Sequence, residues 1–103
     1  MDALAERLVT AIVGAVQPER VYLFGSRAQG HSQERSDVDL LVVHSGPETK
    51  REVLLKIRSL FHGPDFSMDL FVLTPEEFES QKGIANTLAR EVAERGILCY
   101  ARG

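Results

Sequence analysis

The feature that most constrains the fold is a nearly unbroken apolar run at residues 38–43, which read Val-Asp-Leu-Leu-Val-Val. A strand that is apolar at almost every position is typical of a sheet covered on both faces. The run therefore predicts a strand with both faces at least partly covered. Asp39 is its one charged residue and calls for a separate explanation.

Helical and strand patterns alternate along the rest of the chain. Apolar residues recur every four positions near the start and predict a first helix that ends before Pro18. Further strands are predicted at residues 21–24, 66–73 and 97–100, the last as a short edge strand. Between two Gly-Pro pairs, a second helix is predicted with an apolar face that includes Leu60 and reaches Phe61. A last helix is predicted with an apolar stripe that begins at Ile84.

Local signals define the remaining helices. Thr74, Pro75 and Glu77 form the pattern of a capping box with proline at the first helical position. Residues 27–29 are a short segment that Ser26 is suited to cap. The predicted order is α-β-α-β-α-β-α-α-β in one domain, residues 1–103, which indicates an α/β (α+β) fold with a single mixed sheet of about four strands and flanking helices.

Composition narrows the possible partners. The net charge is −3 and 44% of the residues are hydrophobic. This acidic balance argues against capture of long nucleic acid but not against binding of a small anionic nucleotide. A lone cysteine, Cys99, excludes an internal disulfide, and neither a signal peptide nor a membrane span is predicted. We expect a cytoplasmic protein.

Asp37 and Asp39 flank Val38 at the start of the predicted second strand. With a period of two their side chains share one face, with Cα atoms roughly 6.5–7 Å apart. Such a pair repels unless a cation neutralises it, and its hard oxygens suit Mg²⁺ or Mn²⁺. The alternative is that Asp37 belongs to a loop cap and Asp39 faces water.

Asp69 is a third acidic residue in an apolar strand. Its neighbours on the same face are Phe71 and Leu73, and an unpaired charge buried there would cost several kcal/mol. An edge position that faces solvent would also explain it. If the second and third strands are neighbours, all three carboxylates converge, as in sites that hold two metal ions for phosphoryl or nucleotidyl transfer.

Gly25 and Ser26 follow the first predicted strand. Glycine lets the backbone approach a ligand closely, and the N–H groups of residues 27–29 would face a phosphate. A Gly-Ser turn alone more often only caps a helix.

Together these residues resemble the DNA polymerase beta-type nucleotidyltransferase superfamily. The matching features are Gly-Ser, ten intervening residues, Asp-Val-Asp, and an Asp on a later strand. The fuller text F-G-S-R-A-Q-G at residues 24–30 and S-D-V-D-L-L-V-V at residues 36–43 resembles the minimal nucleotidyltransferases, and the likeness extends over nearly the whole chain. Gln29 departs from the pattern, since a basic residue is common there.

The resemblance implies roles for particular residues. Asp37, Asp39 and Asp69 would be the catalytic carboxylates and bind Mg²⁺ (or Mn²⁺), while Gly25 and Ser26 would hold the phosphates of ATP. Arg27 also matches, with either a phosphate contact or a structural salt bridge as its role.

The resemblance also implies a partner. Many minimal nucleotidyltransferases are antitoxins that bind a HEPN-domain toxin and can adenylylate one of its tyrosines. The expected function is metal-dependent transfer of AMP to such a partner. The alternative is a non-catalytic binding module that neutralises the partner by contact.

Overall fold

A computed structural model describes residues 3–29, 37–61 and 66–102, which contain four helices and four strands. In chain order the elements are α1 (Ala3–Val16), β1 (Arg20–Phe24), β2 (Val38–Val43), α2 (Lys50–Arg58), β3 (Met68–Leu73), α3 (Pro75–Gln81), α4 (Leu88–Arg95) and β4 (Ile97–Ala101). None of the helices in these ranges is both long and apolar enough to span a membrane.

The four strands form one mixed sheet in the order β3-β2-β1-β4. β2 and β3 are parallel, and β1 is antiparallel to both β2 and β4. The predicted α+β fold with a single mixed sheet is confirmed, as is the edge position of the last strand. The neighbouring placement of β2 and β3, which the pattern left open, is the arrangement that brings Asp39 and Asp69 together.

Two apolar clusters cover the two faces of the sheet. One packs α1 and α2 against alternate residues of the sheet, including Val38, Leu40 and Val42. The other joins Leu41 and Val43 to buried residues of α3 and α4. Side chains alternate between faces along a strand, so Asp39 lies on the face that carries α3 and α4.

The helix ends follow from local hydrogen bonding. Thr49 and Thr74 both form capping boxes, with Glu52 and Glu77 as the respective third residues. The box predicted at Thr74 is confirmed. Thr87 caps α4 by accepting a hydrogen bond from the Arg90 N–H.

Several predicted boundaries were wrong. The third strand begins at Met68, and the last helix begins at Leu88 because the Thr87 cap and the left-handed Asn86 (φ 66°) interrupt the apolar stripe. Ile84 is 55% exposed as a result. Leu60 lies beyond the end of α2, and residues 27–29 form a turn instead of a helix.

The buried side chain of His44 connects backbone segments at the end of the sheet opposite Asp39. Its Nε2 lies 3.1 Å from the Val16 carbonyl oxygen, and its Nδ1 accepts a hydrogen bond from the Gly46 N–H at 3.2 Å. This imidazole therefore has a structural role, at the opposite end of β2 from Asp39.

Candidate active site

Three strand ends meet at one edge of the sheet. β2 and β3 both begin there, and the antiparallel β1 ends there. The register pairs Asp39 with Phe24 of β1 on one side and with Asp69 of β3 on the other. Residues paired across neighbouring strands project to the same face, so the topology places the carboxyl groups of Asp39 and Asp69 side by side.

Gly25 follows β1 directly and lets the backbone pass against Asp39. Its φ of 75° lies in the left-handed region that favours glycine. A Cβ added to Gly25 would overlap Oδ2 of Asp39 and lie 3.0 Å from its Cγ. A side chain at this position would therefore displace the Asp39 carboxyl group.

The Asp39 carboxyl is electrostatically perturbed. Its pKa is raised to about 6, mainly by burial and further by a hydrogen bond to Asp69 and by the charges of Asp69, Asp37 and Glu91. Each of these effects disfavours the ionised form. A cation bound by these oxygens would take the place of the proton and relieve the repulsion.

The three predicted carboxylates are not equally close. Asp37 and Asp69 are exposed and Asp39 is half-buried. Within residues 3–29, 37–61 and 66–102, no three His, Cys, Asp or Glu side chains form a ready-made metal cluster. Asp39 and Asp69 are hydrogen-bonded to each other, whereas Asp37 acts on Asp39 through its charge.

Residues 25–29 form a tight turn beside these carboxylates. The N–H of Ala28 donates to the Gly25 carbonyl and the N–H of Gln29 to the Ser26 carbonyl, each at 3.2 Å. The expectation that the N–H groups of residues 27–29 face a phosphate was therefore wrong for Ala28 and Gln29, whose N–H groups are used within the turn. Ser26 is exposed at its start, and Arg27 is half-buried within it.

The flank of α4 borders the same site. The Gln29 side chain donates to the backbone carbonyl of Arg95 at 3.2 Å, which fixes the end of α4 against the turn. One helical turn earlier, Glu91 is close enough for its charge to raise the pKa of Asp39. Sequence reasoning missed Glu91, because only the packing of α4 on the sheet brings this residue to the carboxylates.

A family model described as polymerase beta, nucleotidyltransferase, matches residues 6–102. The chain belongs to this family. No curated protein matches the chain in a sequence search.

Several solved structures share the fold. A protein from Sulfolobus solfataricus assigned as a nucleotidyltransferase is 25% identical, with a TM-score of 0.64 over 96% of this chain and 78% of that one. A toxin–antitoxin complex with AMP-PNP is 22% identical, with a TM-score of 0.59 over 94% and 73% of the two chains. A mutant of the MntA–HpeT toxin–antitoxin complex is also 22% identical, with a TM-score of 0.59 over 94% and 72%.

For this nucleotidyltransferase-family chain, the sheet edge described above is the candidate active site. It contains all six residues to which the resemblance gives roles: Gly25, Ser26, Arg27, Asp37, Asp39 and Asp69. Their roles in binding metal and nucleotide remain predictions.

An exposed aromatic residue, Phe71, lies two positions beyond Asp69 and packs on Phe24 with a centroid distance of 5.8 Å.

Proposed function

We propose that the chain transfers AMP from ATP to a tyrosine of a HEPN-type toxin partner and acts as its antitoxin. The observation that carries the proposal is the pairing of Asp39 with Asp69 across β2 and β3, with the backbone of Gly25 set against the Asp39 carboxyl group. A chain of the nucleotidyltransferase family that keeps such a pair at an open sheet edge has the groups needed for nucleotidyl transfer.

The donor set fits a divalent metal ion. Asp39 and Asp69 supply hard oxygen ligands that repel each other without a cation. Burial, and to a lesser degree this repulsion, raises the pKa of Asp39. Asp37 adds negative charge beside them. Mg²⁺ or Mn²⁺ held here would neutralise charge on the transferring phosphoryl group.

The acceptor hydroxyl and residues of the chain carry out the rest of the transfer reaction. The acceptor hydroxyl attacks the α-phosphorus of ATP, a new oxygen–phosphorus bond forms, the bond to pyrophosphate breaks, and the hydroxyl proton passes to solvent water. The exposed Ser26 hydroxyl at the start of the turn is suited to hold a phosphate oxygen. Gly25 keeps the turn close enough to Asp39 for both to act on one nucleotide.

Support for a protein acceptor comes from the open face and from the structural neighbours. Phe71 is 41% exposed on the same face as Asp69, which leaves apolar surface beside the carboxylates. Two structures of the same fold are toxin–antitoxin complexes, and one of them contains AMP-PNP. A partner bound over this face would exclude water and orient the acceptor.

Binding of metal and of nucleotide should be coupled. Because the triphosphate supplies ligands that the carboxylates alone lack, we expect Mg²⁺ to bind weakly by itself and to tighten ATP binding about tenfold. Protons compete with the metal for Asp39, so this tightening should diminish as the pH falls through about 6. Calorimetry with and without EDTA, at pH 5 and pH 7.5, measures both effects. An ATP affinity that EDTA leaves unchanged at pH 7.5 would contradict the metal site.

The partner should receive the label from ATP. We expect the chain alone to consume ATP slowly, and a HEPN-domain protein encoded beside it to bind the chain and to gain an AMP adduct on tyrosine. Incubation of the two proteins with Mg²⁺ and α-labelled ATP, followed by mass spectrometry, tests this. The Asp37→Ala variant is the inactive control. If the two proteins co-purify but the partner gains no label, the alternative of a non-catalytic binding module is correct.

A matched pair of variants tests where the partner binds. Phe71 on β3 and Leu55 on α2 are exposed apolar residues, at 41% and 55% exposure, on opposite faces of the molecule. Phe71→Ala should weaken co-purification with the toxin, and Leu55→Ala should not. Equal effects of the two substitutions would place the contact elsewhere.

A further inference from the structure

The candidate site has an excess of negative charge. The negative charges of Asp37, Asp69 and Glu91 all act on Asp39. A triphosphate brings further negative charge to this edge. The binding of ATP therefore calls for a positively charged side chain besides any metal ion.

Arg95 is the cation that the fold brings to this place. Gln29, at the end of the 25–29 turn, donates to the Arg95 carbonyl at 3.2 Å, so the backbone of Arg95 lies directly beside the turn. Glu91 precedes Arg95 by four residues, and positions i and i+4 share one face of a helix. Since Glu91 acts on Asp39, this face of α4 borders the carboxylates.

Arg90, the other arginine of α4 before Arg95, is less suited to this role. Its side chain is already engaged, because it pairs with Glu94 and donates to the Gly83 carbonyl at 3.1 Å. Arg95 makes no ion pair within 4 Å among the residues that the structure describes, although its charge acts on the neighbouring Glu94. An open depression of about 440 Å³ along α4 is lined by Glu91 and Arg95 together with Arg90 and Glu94.

The direction of α4 adds a second reason. The carboxyl end of a helix carries partial negative charge, and α4 points this end at the turn. Without a nearby positive charge, this end of the helix would repel a phosphate group. The Gln29 amide satisfies one terminal carbonyl, and the guanidinium of Arg95 places a full positive charge at the same end.

We propose that Arg95 is a further nucleotide-binding residue, which contacts the triphosphate tail of ATP from the end of α4. This assignment rests on the proposed function, because it takes the Asp39 and Asp69 edge as the nucleotide site. Gln29 is a positioning residue that holds the end of α4 in place.

The test compares nucleotides that differ only in the phosphate tail. Calorimetry with Mg²⁺-ATP and with AMP is carried out on the wild type, Arg95→Ala, Arg95→Lys and Arg58→Ala. Arg58 is the matched control, since it is also an exposed arginine in the last turn of a helix but lies on α2, on the other face of the sheet. Both alanine variants remove the same favourable charge from a helix end, so their effects on thermal unfolding should be equal.

We expect Arg95→Ala to weaken ATP binding about tenfold, as for loss of a charged hydrogen bond, and to leave AMP binding unchanged. Arg95→Lys should recover most of the loss, Arg58→Ala should bind as the wild type does, and added salt should shrink the difference. An unchanged ATP affinity in Arg95→Ala, or an equal loss for ATP and AMP, overturns the assignment of Arg95 alone. A wild type that binds no ATP overturns both this assignment and the proposed function.

Discussion

Asp39→Asn is expected to abolish nucleotidyl transfer while leaving the fold intact. The substitution keeps the volume of the side chain and removes the negative charge that would bind the metal ion. Metal-ion stabilisation of a transferring phosphoryl group amounts to several kcal/mol, which corresponds to a loss of at least about 10³-fold in rate. Transfer of labelled AMP to the partner under single-turnover conditions measures this loss.

The same variant should be more stable than the wild type in the absence of metal. The asparagine amide can donate to Asp69 as the protonated carboxyl does, without being titrated. Since the folded-state pKa of Asp39 is raised, its favourable contribution is complete below about 3.9 and is lost as the pH rises through about 6. At pH 7.5 we expect a gain of about 1 kcal/mol, reduced from the full shift because the carboxyl is partly solvated. At pH 4 the gain should be much smaller.

A matched control distinguishes the effect of losing a negative charge at Asp39 from the effect of losing one elsewhere on the chain. Glu76→Gln removes one carboxylate from the start of α3, where Glu76 borders the same depression as His44, at the opposite end of β2 from Asp39. This variant should transfer AMP as the wild type does. An active Asp39→Asn variant, or one no more stable than the wild type at pH 7.5, would contradict the role given to Asp39.

The strand pattern was predictable because the core residues define it. The apolar run at residues 38–43 forms β2, which is buried at every position except Asp39, and its apolar residues enter two different clusters on the two faces of the sheet. The pairing of Asp39 with Asp69 was not predictable from periodicity, since strand order depends on how α2 crosses between β2 and β3. Sequence reasoning could state only what would follow if the two strands were neighbours.

Errors arose where short-range signals compete. Ile84 fits the apolar stripe of the last helix, but Thr87 offers a better cap, so the helix begins after it. Ser26 was a reasonable cap for residues 27–29, yet that segment closes as a turn that uses the N–H groups of Ala28 and Gln29. Nothing in the local sequence marks Glu91 and Arg95 as site residues, because their spacing is that of an ordinary i,i+4 pair on a solvated helix face.

Gly25→Ala is expected to damage both the stability and the activity of the chain. Alanine at a φ of 75° is strained by about 1–2 kcal/mol. Its Cβ would also overlap Oδ2 of Asp39, so the carboxyl group must move. We expect the free energy of unfolding to fall by about 2 kcal/mol, or roughly 8–16 °C in Tm. A displacement of the carboxyl by about 1 Å should lower the rate of transfer about 10²-fold.

Two comparisons isolate the cause of the Gly25→Ala effects. Gly14→Ala is the matched control, because Gly14 lies within α1 with nothing within 4 Å of an added Cβ, and alanine there should stabilise the helix by about 0.5–1 kcal/mol. Introduced into Asp39→Ala, Gly25→Ala should retain the backbone strain but lose the overlap, so its cost in stability should be smaller than in the wild type. Thermal unfolding of the four proteins in this cycle measures the difference. An equal cost in both backgrounds would show that the close approach of Gly25 to Asp39 is not what requires glycine, and that the left-handed backbone alone does.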